Sequence, residues 1–229
     1  MAQRILVVDI GGTHVKLMID GADRRNFDSG SHMEPKGFVG ALGEQTRGWQ
    51  FDAISIGFPS PVRDGKVVKE PKHLGKGWVD FDFGAALGKP TRVINDAAMQ
   101  ALGSYHGGRM LFLGLGTGLG SALVLERMLF PLELGDLPYR DRDIIENFLG
   151  IPGIDRLGEE EWRHEVVFAI THLKLAFIAD YVVLGGGLIH RFGNQLPDGV
   201  ERGENENAYL GGLRLWETES GGDRKWQIF

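Results

Sequence analysis

The stretch ILVVDIGGTHVKLMIDG, residues 5–21, decides the fold of this chain. Two apolar, β-rich runs flank the pair Gly11-Gly12, and this pattern predicts an antiparallel hairpin. A turn between two strands needs only the glycines. The hairpin also carries an acid, a threonine and a lysine next to those glycines, so a turn alone does not explain its composition.

The polar residues of this hairpin suit a bound phosphate and its metal ion. Asp9, a carboxylate at a strand end, can hold Mg²⁺ through water. The backbone of Gly11 and Gly12 and the hydroxyl of Thr13 can donate to phosphoryl oxygens, and Lys16 adds positive charge. An ordinary type I′ hairpin with a solvated lysine is the alternative, and it is the favoured interpretation for this hairpin taken by itself. A second loop of the same kind in the chain shifts the balance toward phosphate binding.

A second glycine-rich segment, GLGTGLG at residues 114–120, has similar chemistry. Its alternating glycines, Gly116 and Gly118 among them, expose backbone N–H groups that can line a phosphate, and Thr117 adds a hydroxyl. The segment is neither a Walker loop nor a dinucleotide fingerprint. A glycine-rich hairpin or bulge is the alternative interpretation.

Strands and helices alternate along the chain, which indicates an α/β architecture. The expected strands cover 5–10, 15–19, 25–27, 53–58, 92–94, 110–113, 121–125 and 181–184, and the expected helices cover 35–49, 97–105 and 159–179. The order of strand, glycine turn and strand occurs in both halves. Two similar lobes facing each other are therefore expected, although no internal repeat is visible in the sequence.

Composition narrows the class of protein. The chain has 229 residues, with 42% hydrophobic and 24% charged residues, values typical of globular proteins. No apolar run approaches the roughly 20 residues of a membrane span, and the first residues lead directly into a strand, so we expect a cytoplasmic protein with no membrane partner. The formal charge of −6 disfavours nucleic-acid binding, and the absence of cysteine excludes thiolate metal sites.

Several acids lie between the expected strands and helices or in the loops that connect them. Asn95-Asp96 lies between an apolar strand and a helical run. Asp96 is either a helix N-cap or, because a helix N-terminus keeps a carboxylate ionised, a general base at the rim of the sheet. Glu133 and Asp136 lie in a loop between two prolines, where they either bind sugar hydroxyls or are solvated.

The segment PKHLGKGW, residues 71–78, supplies two further candidates. Lys76 and Trp78 lie among turn residues, and Trp78 either packs on a sugar or anchors a loop. Residues 63–76 hold five basic residues against two acids. This local excess either attracts an anionic substrate or forms a solvated hairpin.

The motifs together resemble the ROK-type sugar kinases of the actin-like ATPase superfamily. The matching segments, in order, are VVDIGGTHVK, SIGFPSPV, VINDAAMQALG, LFLGLGTGLG, LELGD and YVVLGGG. PKHLGKGWVDFDF and NENAYLGGLRLW resemble the polyphosphate/ATP-dependent glucokinase branch of that family. The resemblance covers nearly the whole chain.

The resemblance implies a fold and a set of roles. It implies two actin-like (ribonuclease H-like) lobes, here residues 1–108 and 109–229, with a cleft between them and with the last residues packing back on the N-terminal lobe. The two glycine loops described above correspond to the family's phosphate loops, and Gly185-Gly186-Gly187 to the loop near the adenosine. Asp96 falls at the catalytic base, Asn95 at a sugar contact and Glu133 at the acid that binds sugar hydroxyls.

The expected activity is phosphoryl transfer from ATP or polyphosphate to the 6-hydroxyl of glucose or a close analogue, with Mg²⁺ as the metal cofactor. A kinase for mannose or an amino sugar, and a non-catalytic ROK-type sugar sensor, are the alternatives. Many relatives have His where this chain has Asp136, which alters the sugar side of the site. We expect no structural zinc, because the cysteines that hold it in larger relatives are absent, and dimers are common in the family, so a homodimer is one expected assembly.

Overall fold

A computed structural model describes residues 3–21, 23–193, 196–204, 206–219 and 221–229. Met1, Ala2 and Asn205, which fall in stretches used above, lie outside the described residues. The strands are β1 Ile5–Ile10, β2 His14–Ile19, β3 Asp23–Asp28, β4 Ala53–Phe58, β5 Val62–Arg63, β6 Lys66–Val67, β7 Thr91–Asn95, β8 Arg109–Leu115, β9 Leu119–Leu125, β10 Met128–Leu132, β11 Tyr181–Gly185, β12 Val200–Arg202 and β13 Gln227–Ile228. The helices are α1 Pro35–Gln45, α2 Phe83–Leu87, α3 Asp96–Ser104, α4 Glu146–Leu149, α5 Ile151–Leu157, α6 Glu159–Ala176 and α7 Asn207–Arg214.

The two main sheets repeat one topology. The first has the order β3-β2-β1-β4-β7, and the second has the order β12-β11-β8-β9-β10-β13. In each sheet an antiparallel hairpin, β1-β2 or β8-β9, extends on one side to a third antiparallel strand and on the other to two parallel strands. The α/β class is confirmed, and the similarity of the two halves that the glycine turns suggested is present in strand order.

Helices α3 and α7 pack between the two sheets. Their apolar residues share one buried cluster with side chains of β1, β8, β9 and β11. The helices approach closely because they meet at glycines: a Cβ added at Gly103 would lie 1.8 Å from Asn207 O, and one added at Gly211 would lie 1.8 Å from Met99 O. Ser55 Oγ donates to Gly212 O at 2.6 Å, which ties α7 to β4 of the first sheet.

The remaining faces of the sheets are covered by other helices and loops. Helices α1 and α2 and an aromatic loop cover the first sheet and bury Phe38, Phe58 and Phe83. Helix α6 covers the second sheet through Trp162, Val166 and other apolar residues spaced three or four apart. The sheets are therefore fixed on both faces, and their strand ends are held in place.

Two expected helices end earlier than predicted. Helix α1 ends at Gln45 rather than at residue 49, and Gly48 adopts a left-handed φ of 86° that a helix does not allow. Helix α6 ends at Ala176, and Ile178 follows with φ 51°. Strand β10 and helix α7 were not predicted, since Pro131 and the Gly211-Gly212 pair obscure their patterns.

Candidate active site

A pocket of about 350 Å³ lies where residues from both sheets and their loops meet. From the first half of the chain it is lined by Asp9, Gly11, Gly12, Lys16, Asn95 and Asp96 among others, and from the second half by Gly116, Thr117, Gly118, Glu133, Gly186 and Gly187 among others. Twelve of the candidate residues are thus brought together from five separate segments. Thr13, Gly185, Asp136, Lys76 and Trp78 are not part of the lining.

Asp96 is placed at the pocket by the junction of strand β7 and helix α3. Helix α3 begins at Asp96, directly after the last strand residue, Asn95. Asn95 Oδ1 accepts from Ala98 N at 3.1 Å, so Asn95 is the N-cap of the helix. Asp96 Oδ1 accepts from Ala97 N at 2.8 Å. The N-cap role that the sequence allowed for Asp96 therefore belongs to its neighbour.

The pKa of Asp96 is raised from its usual 3.8 to about 7, mainly by burial and next by the charge of Asp9. The charge of Glu133 contributes to the same rise by a smaller amount, while the hydrogen bond from Ala97 N opposes it. A carboxylate with this pKa exchanges protons near neutral pH, as a general base requires. Perturbation by burial together with specific charged neighbours is typical of functional sites.

Asp9 stands at the end of strand β1, opposite Lys16 in the hairpin register. Burial raises the pKa of Asp9, and the charge of Lys16 lowers it. Asp9 also raises the pKa of Asp96, so the two carboxylates carry a local excess of negative charge that a cation would relieve.

The donor set at Asp9 fits Mg²⁺ held mainly through water. Among the described residues there is no group of three or more His, Asp or Glu side chains arranged to hold a metal ion. Mg²⁺ is usually bound by one or two carboxylates together with waters and substrate phosphates. Asp9 can supply one such carboxylate.

The glycines of the first loop permit close approach rather than a left-handed turn. Neither Gly11 nor Gly12 has φ in the left-handed region, so the loop is not the type I′ turn that the alternative interpretation supposed. A Cβ at Gly12 would lie 3.2 Å from His73 Cβ, and one at Gly11 would lie 3.1 Å from His14 O. Gly11 and Gly12 thus bring backbone to the pocket without side chains of their own.

The second glycine loop packs against helix α3. A Cβ at Gly120 would lie 2.7 Å from Ala97 Cβ, and one at Gly118 would lie 2.6 Å from Glu146 Oε2. Gly186 has φ 84°, and a Cβ there would lie 2.2 Å from Leu115 O. The second glycine loop is therefore held against helix α3, and Gly186 against Leu115, by contacts that larger residues would prevent.

Glu133 and its neighbours form a charged cluster at the pocket. Burial raises the pKa of Glu133; Asp136 and Glu146 raise it further, while Lys69 and Lys72 lower it. Lys72 Nζ lies 3.1 Å from Asp136 Oδ1 and 2.5 Å from Glu146 Oε1, and Lys69 Nζ lies 3.5 Å from Asp136 Oδ2. The hydrogen bond from Lys72 is the main reason that the pKa of Asp136 is lowered.

This cluster changes the interpretation of Asp136. The carboxylate is engaged by Lys69 and Lys72 and does not line the pocket, so it is not placed to accept sugar hydroxyls directly. Lys69, Lys72 and Glu146, by contrast, do line the pocket. The basic excess in residues 63–76 was the one sequence signal for the two lysines, and Glu146 had no signal because it lies in an unremarkable helical stretch.

Two further candidates are corrected by the structure. Trp78 has no exposed surface and stands among Phe38, Phe58 and Phe83, with ring centroids 5.0 to 6.0 Å away, so it is a core residue. Lys76 is exposed and lines a separate shallow depression near helix α1. The loop-anchor interpretation of Trp78 is therefore the one that the structure supports.

The two-sheet α/β fold with paired glycine loops is that of ROK-family proteins. The inorganic polyphosphate/ATP-glucomannokinase of Arthrobacter sp. strain KM superposes with a TM-score of 0.78, at 24% identity, over 92% of this chain and 97% of that one. A ROK-family glucokinase from Streptomyces griseus superposes with a TM-score of 0.70, at 17% identity, over 93% and 98%. A ROK-family transcriptional regulator superposes with a TM-score of 0.66, at 13% identity, over 91% and 76%.

Curated relatives match parts of the chain. A polyphosphate glucokinase of Mycobacterium tuberculosis is 24% identical over 164 residues, which are 66% of this chain and 61% of that protein. A bifunctional NanE/NanK enzyme of Brucella melitensis is 30% identical over 140 residues, 53% of this chain and 26% of that protein. The chain thus spans less than two thirds of the length of either relative, and no protein-family model matches it. The resemblance to ROK-type sugar kinases, including polyphosphate-dependent ones, is confirmed.

No helix among the described residues has the length and apolar character needed to cross a bilayer.

Proposed function

We propose that this protein is a hexose kinase that transfers a phosphoryl group to the 6-hydroxyl of glucose or a close analogue. The observation that carries the proposal is Asp96, a carboxylate with a pKa raised to about 7 that lines one pocket with two glycine loops and Glu133. A base, phosphate-binding backbone and a hydroxyl-binding acid are the three parts that phosphoryl transfer to a sugar requires.

In the proposed mechanism Asp96 accepts the proton of the sugar hydroxyl. The hydroxyl oxygen forms a bond to the terminal phosphorus of the donor, and the bond from that phosphorus to its bridging oxygen breaks. The leaving group is ADP or a polyphosphate shortened by one unit. Backbone N–H groups of Gly12 and Gly118 and the hydroxyl of Thr117 stabilise the negative charge of the transferring group, whereas the N–H of Gly11 donates to His14 O at 2.9 Å within its own loop.

Glu133 and Asn95 orient the sugar, and Asp9 holds Mg²⁺ through water. The cation neutralises charge on the donor phosphates when it is bound. Asn95 Nδ2 lies 3.5 Å from Ser60 O, so this amide makes only a weak internal contact and can donate to a sugar oxygen instead. Residues 1–108 and 109–229 form the two lobes that close over the substrates in this proposal.

The phosphoryl donor is ATP or polyphosphate, and glucose is the acceptor that we favour. Similarity to a polyphosphate/ATP-glucomannokinase and to a polyphosphate glucokinase supports both choices. The similarity of this chain to an N-acetylmannosamine kinase, 30% identical over 137 residues, makes N-acetylmannosamine the second acceptor to be tested.

Steady-state phosphoryl transfer with four sugars and two donors tests the proposal. Glucose, mannose, glucosamine and N-acetylmannosamine are each combined with ATP and with polyphosphate, with Mg²⁺ present. Formation of a hexose 6-phosphate that depends on both substrates is the expected result. Absence of transfer to any sugar, with hexose binding intact, would favour a sugar sensor, the alternative supported by the likeness to a ROK-family regulator.

A further inference from the structure

Residues 69–73, which we call the lysine strap, contribute Lys69, Glu70, Lys72 and His73 to the lining of the pocket. Both ends of the strap are anchored. The Glu70 carboxylate accepts from Gly77 N at 3.0 Å and from Trp78 N at 3.2 Å, which ties the strap to the aromatic core. His73 packs against Gly12 of the first glycine loop. The strap is therefore held over the pocket from the first-sheet side.

Lys72 reaches from the strap to carboxylates that belong to the second-sheet side. Asp136 lies in the turn after strand β10, and Glu146 is the first residue of helix α4. Their oxygens lie 3.1 and 2.5 Å from Lys72 Nζ. A lysine ammonium has three N–H donors, so these two contacts leave one donor for another acceptor.

Among the hydrogen bonds of the described residues, the third N–H of Lys72 has no acceptor. Lys72 and Glu133 both line that pocket, and the charge of Lys72 lowers the pKa of Glu133. A carboxylate and an ammonium beside each other can bind one hydroxyl together, since the carboxylate accepts the hydroxyl proton while the ammonium donates to the hydroxyl oxygen.

We propose that Lys72 is a sugar-binding and specificity-determining residue, which donates to the oxygen of the hydroxyl bound by Glu133. Asp136 and Glu146 act through Lys72 as positioning residues, which fix its ammonium by two charge-assisted hydrogen bonds. The proposal rests on the hexose site proposed above. It assigns to Lys72 the position on the sugar side that the sequence assigned to Asp136.

The positive charge of Lys72 has a consequence for the choice of sugar substrate. An ammonium donates to a hydroxyl or a carbonyl oxygen but repels a substrate ammonium at the same position. Glucosamine is therefore discriminated against if its amino group meets Lys72, while an uncharged N-acetyl group is not repelled.

The test compares Lys72→Met with Lys66→Met. Lys66 is an exposed lysine of the same basic segment, in strand β6, and does not line this pocket. Binding of glucose, of its 1-, 2-, 3- and 4-deoxy analogues and of glucosamine is measured by titration calorimetry without donor. The thermal transitions of both variants are compared with wild type, and Lys72→Arg restores the charge if Lys72→Met folds poorly.

We expect Lys72→Met to weaken glucose binding roughly 10- to 100-fold, the usual range for a hydrogen bond to a charged group. One deoxy analogue should bind wild type weakly and lose no further affinity in Lys72→Met, which identifies the shared hydroxyl. In turnover assays the KM for hexose should rise more than kcat falls. Lys66→Met should bind like wild type.

Three results would overturn the proposal. These are equal glucose affinity in Lys72→Met and wild type, additive losses for every deoxy analogue, and a rise in the KM of the donor with no change for the hexose. Hexose binding without phosphoryl transfer in the wild type would refute the kinase proposal alone, since the calorimetric comparison would still decide on Lys72.

For the positioning residues, Asp136→Asn should weaken glucose binding less than Lys72→Met, and the double variant should bind like Lys72→Met alone. Additive losses would refute the positioning role.

Discussion

Asn95 caps helix α3, and Asp96, its immediate neighbour, does not. Asn95 Oδ1 accepts the N–H of Ala98 at 3.1 Å, which is the standard N-cap bond. Asp96 Oδ1 accepts only the adjacent N–H of Ala97 in the contacts of the described residues, and its carboxylate lines the pocket. Asn95 thus fixes the start of helix α3, and Asp96 remains available for proton transfer.

Asp96→Asn is the direct test of the proposed base. Asparagine keeps the size of the side chain and the oxygen that bonds Ala97, so the fold should be retained. Loss of the base should lower kcat by roughly 10² to 10⁴, measured as sugar-dependent phosphate transfer. Near-full turnover in a folded Asp96→Asn variant would show that another group takes the proton.

The raised pKa of Asp96 predicts an acid limb in the activity profile. With a pKa of about 7, the carboxylate is increasingly protonated below that pH, so kcat/KM should fall about tenfold per pH unit there. The limb should be absent from the residual activity of Asp96→Asn. A flat wild-type profile between pH 5 and about 8 would contradict the assignment.

The same pKa predicts the sign of a stability change. The folded pKa lies above the usual 3.8, so ionisation of Asp96 disfavours the folded state. This destabilisation is absent below about pH 3.8, grows as the pH rises, and is complete above about pH 7. Asp96→Asn should therefore gain stability relative to wild type between pH 5 and 8 in urea titrations, and a pH-independent difference would refute the burial of this charge.

Asp9→Asn tests the proposed metal site. An amide is a weaker ligand for Mg²⁺ than a carboxylate and carries no charge, so the Mg²⁺ concentration needed for half-maximal activity should rise at least several-fold. Asp23→Asn, a change on the exposed edge strand β3, is the matched control. An unchanged Mg²⁺ requirement in Asp9→Asn would place the metal elsewhere.

The crossing of helices α3 and α7 predicts opposite effects of two Gly→Ala changes. A Cβ at Gly211 would meet Met99 O at 1.8 Å, so Gly211→Ala should push α7 away from α3, destabilise the fold by roughly 1–3 kcal/mol and lower kcat, because α3 begins at Asp96. Gly40, in helix α1, has open space around a Cβ, and Gly40→Ala should stabilise by about 0.5–1 kcal/mol. Urea denaturation of both variants measures the difference, and equal effects would contradict the packing.

Local pattern predicted the parts of this molecule that depend on local chemistry. The hairpin around Gly11, the strand before Asp96 and the long helix α6 all follow from periodicity and turn residues. Helix α7 was missed because its pattern contains Gly211 and Gly212, which lower helix propensity and are required by contacts with Met99 and Val7 more than a hundred residues away.

The candidate site likewise contains residues that local pattern predicts and residues that only distant contacts bring together. Asp96, at the end of a predicted strand, could be predicted because strand ends meet at one edge of a sheet. Glu133 was a candidate only as an acid in a loop and through the family resemblance. Lys72 could not be distinguished from four other basic residues of its segment, since only the folded chain places it beside Asp136 and Glu146. Trp78 was ambiguous for the converse reason: an aromatic residue among turn residues is equally compatible with a sugar contact and with a core anchor.

Substitutions at Trp78 decide between those two roles. Trp78 is fully buried, and its Nε1 has no hydrogen-bond partner among the described residues, so Trp78→Phe removes no hydrogen bond. We expect Trp78→Phe to lower the free energy of unfolding by less than about 1.5 kcal/mol and Trp78→Ala by about 3–5 kcal/mol. Trp49→Ala, which removes a partly exposed ring stacked under Arg25, should cost less than Trp78→Ala. The hexose KM of folded Trp78→Phe should equal that of wild type; a raised KM with unchanged stability would instead show that this side chain contacts the sugar.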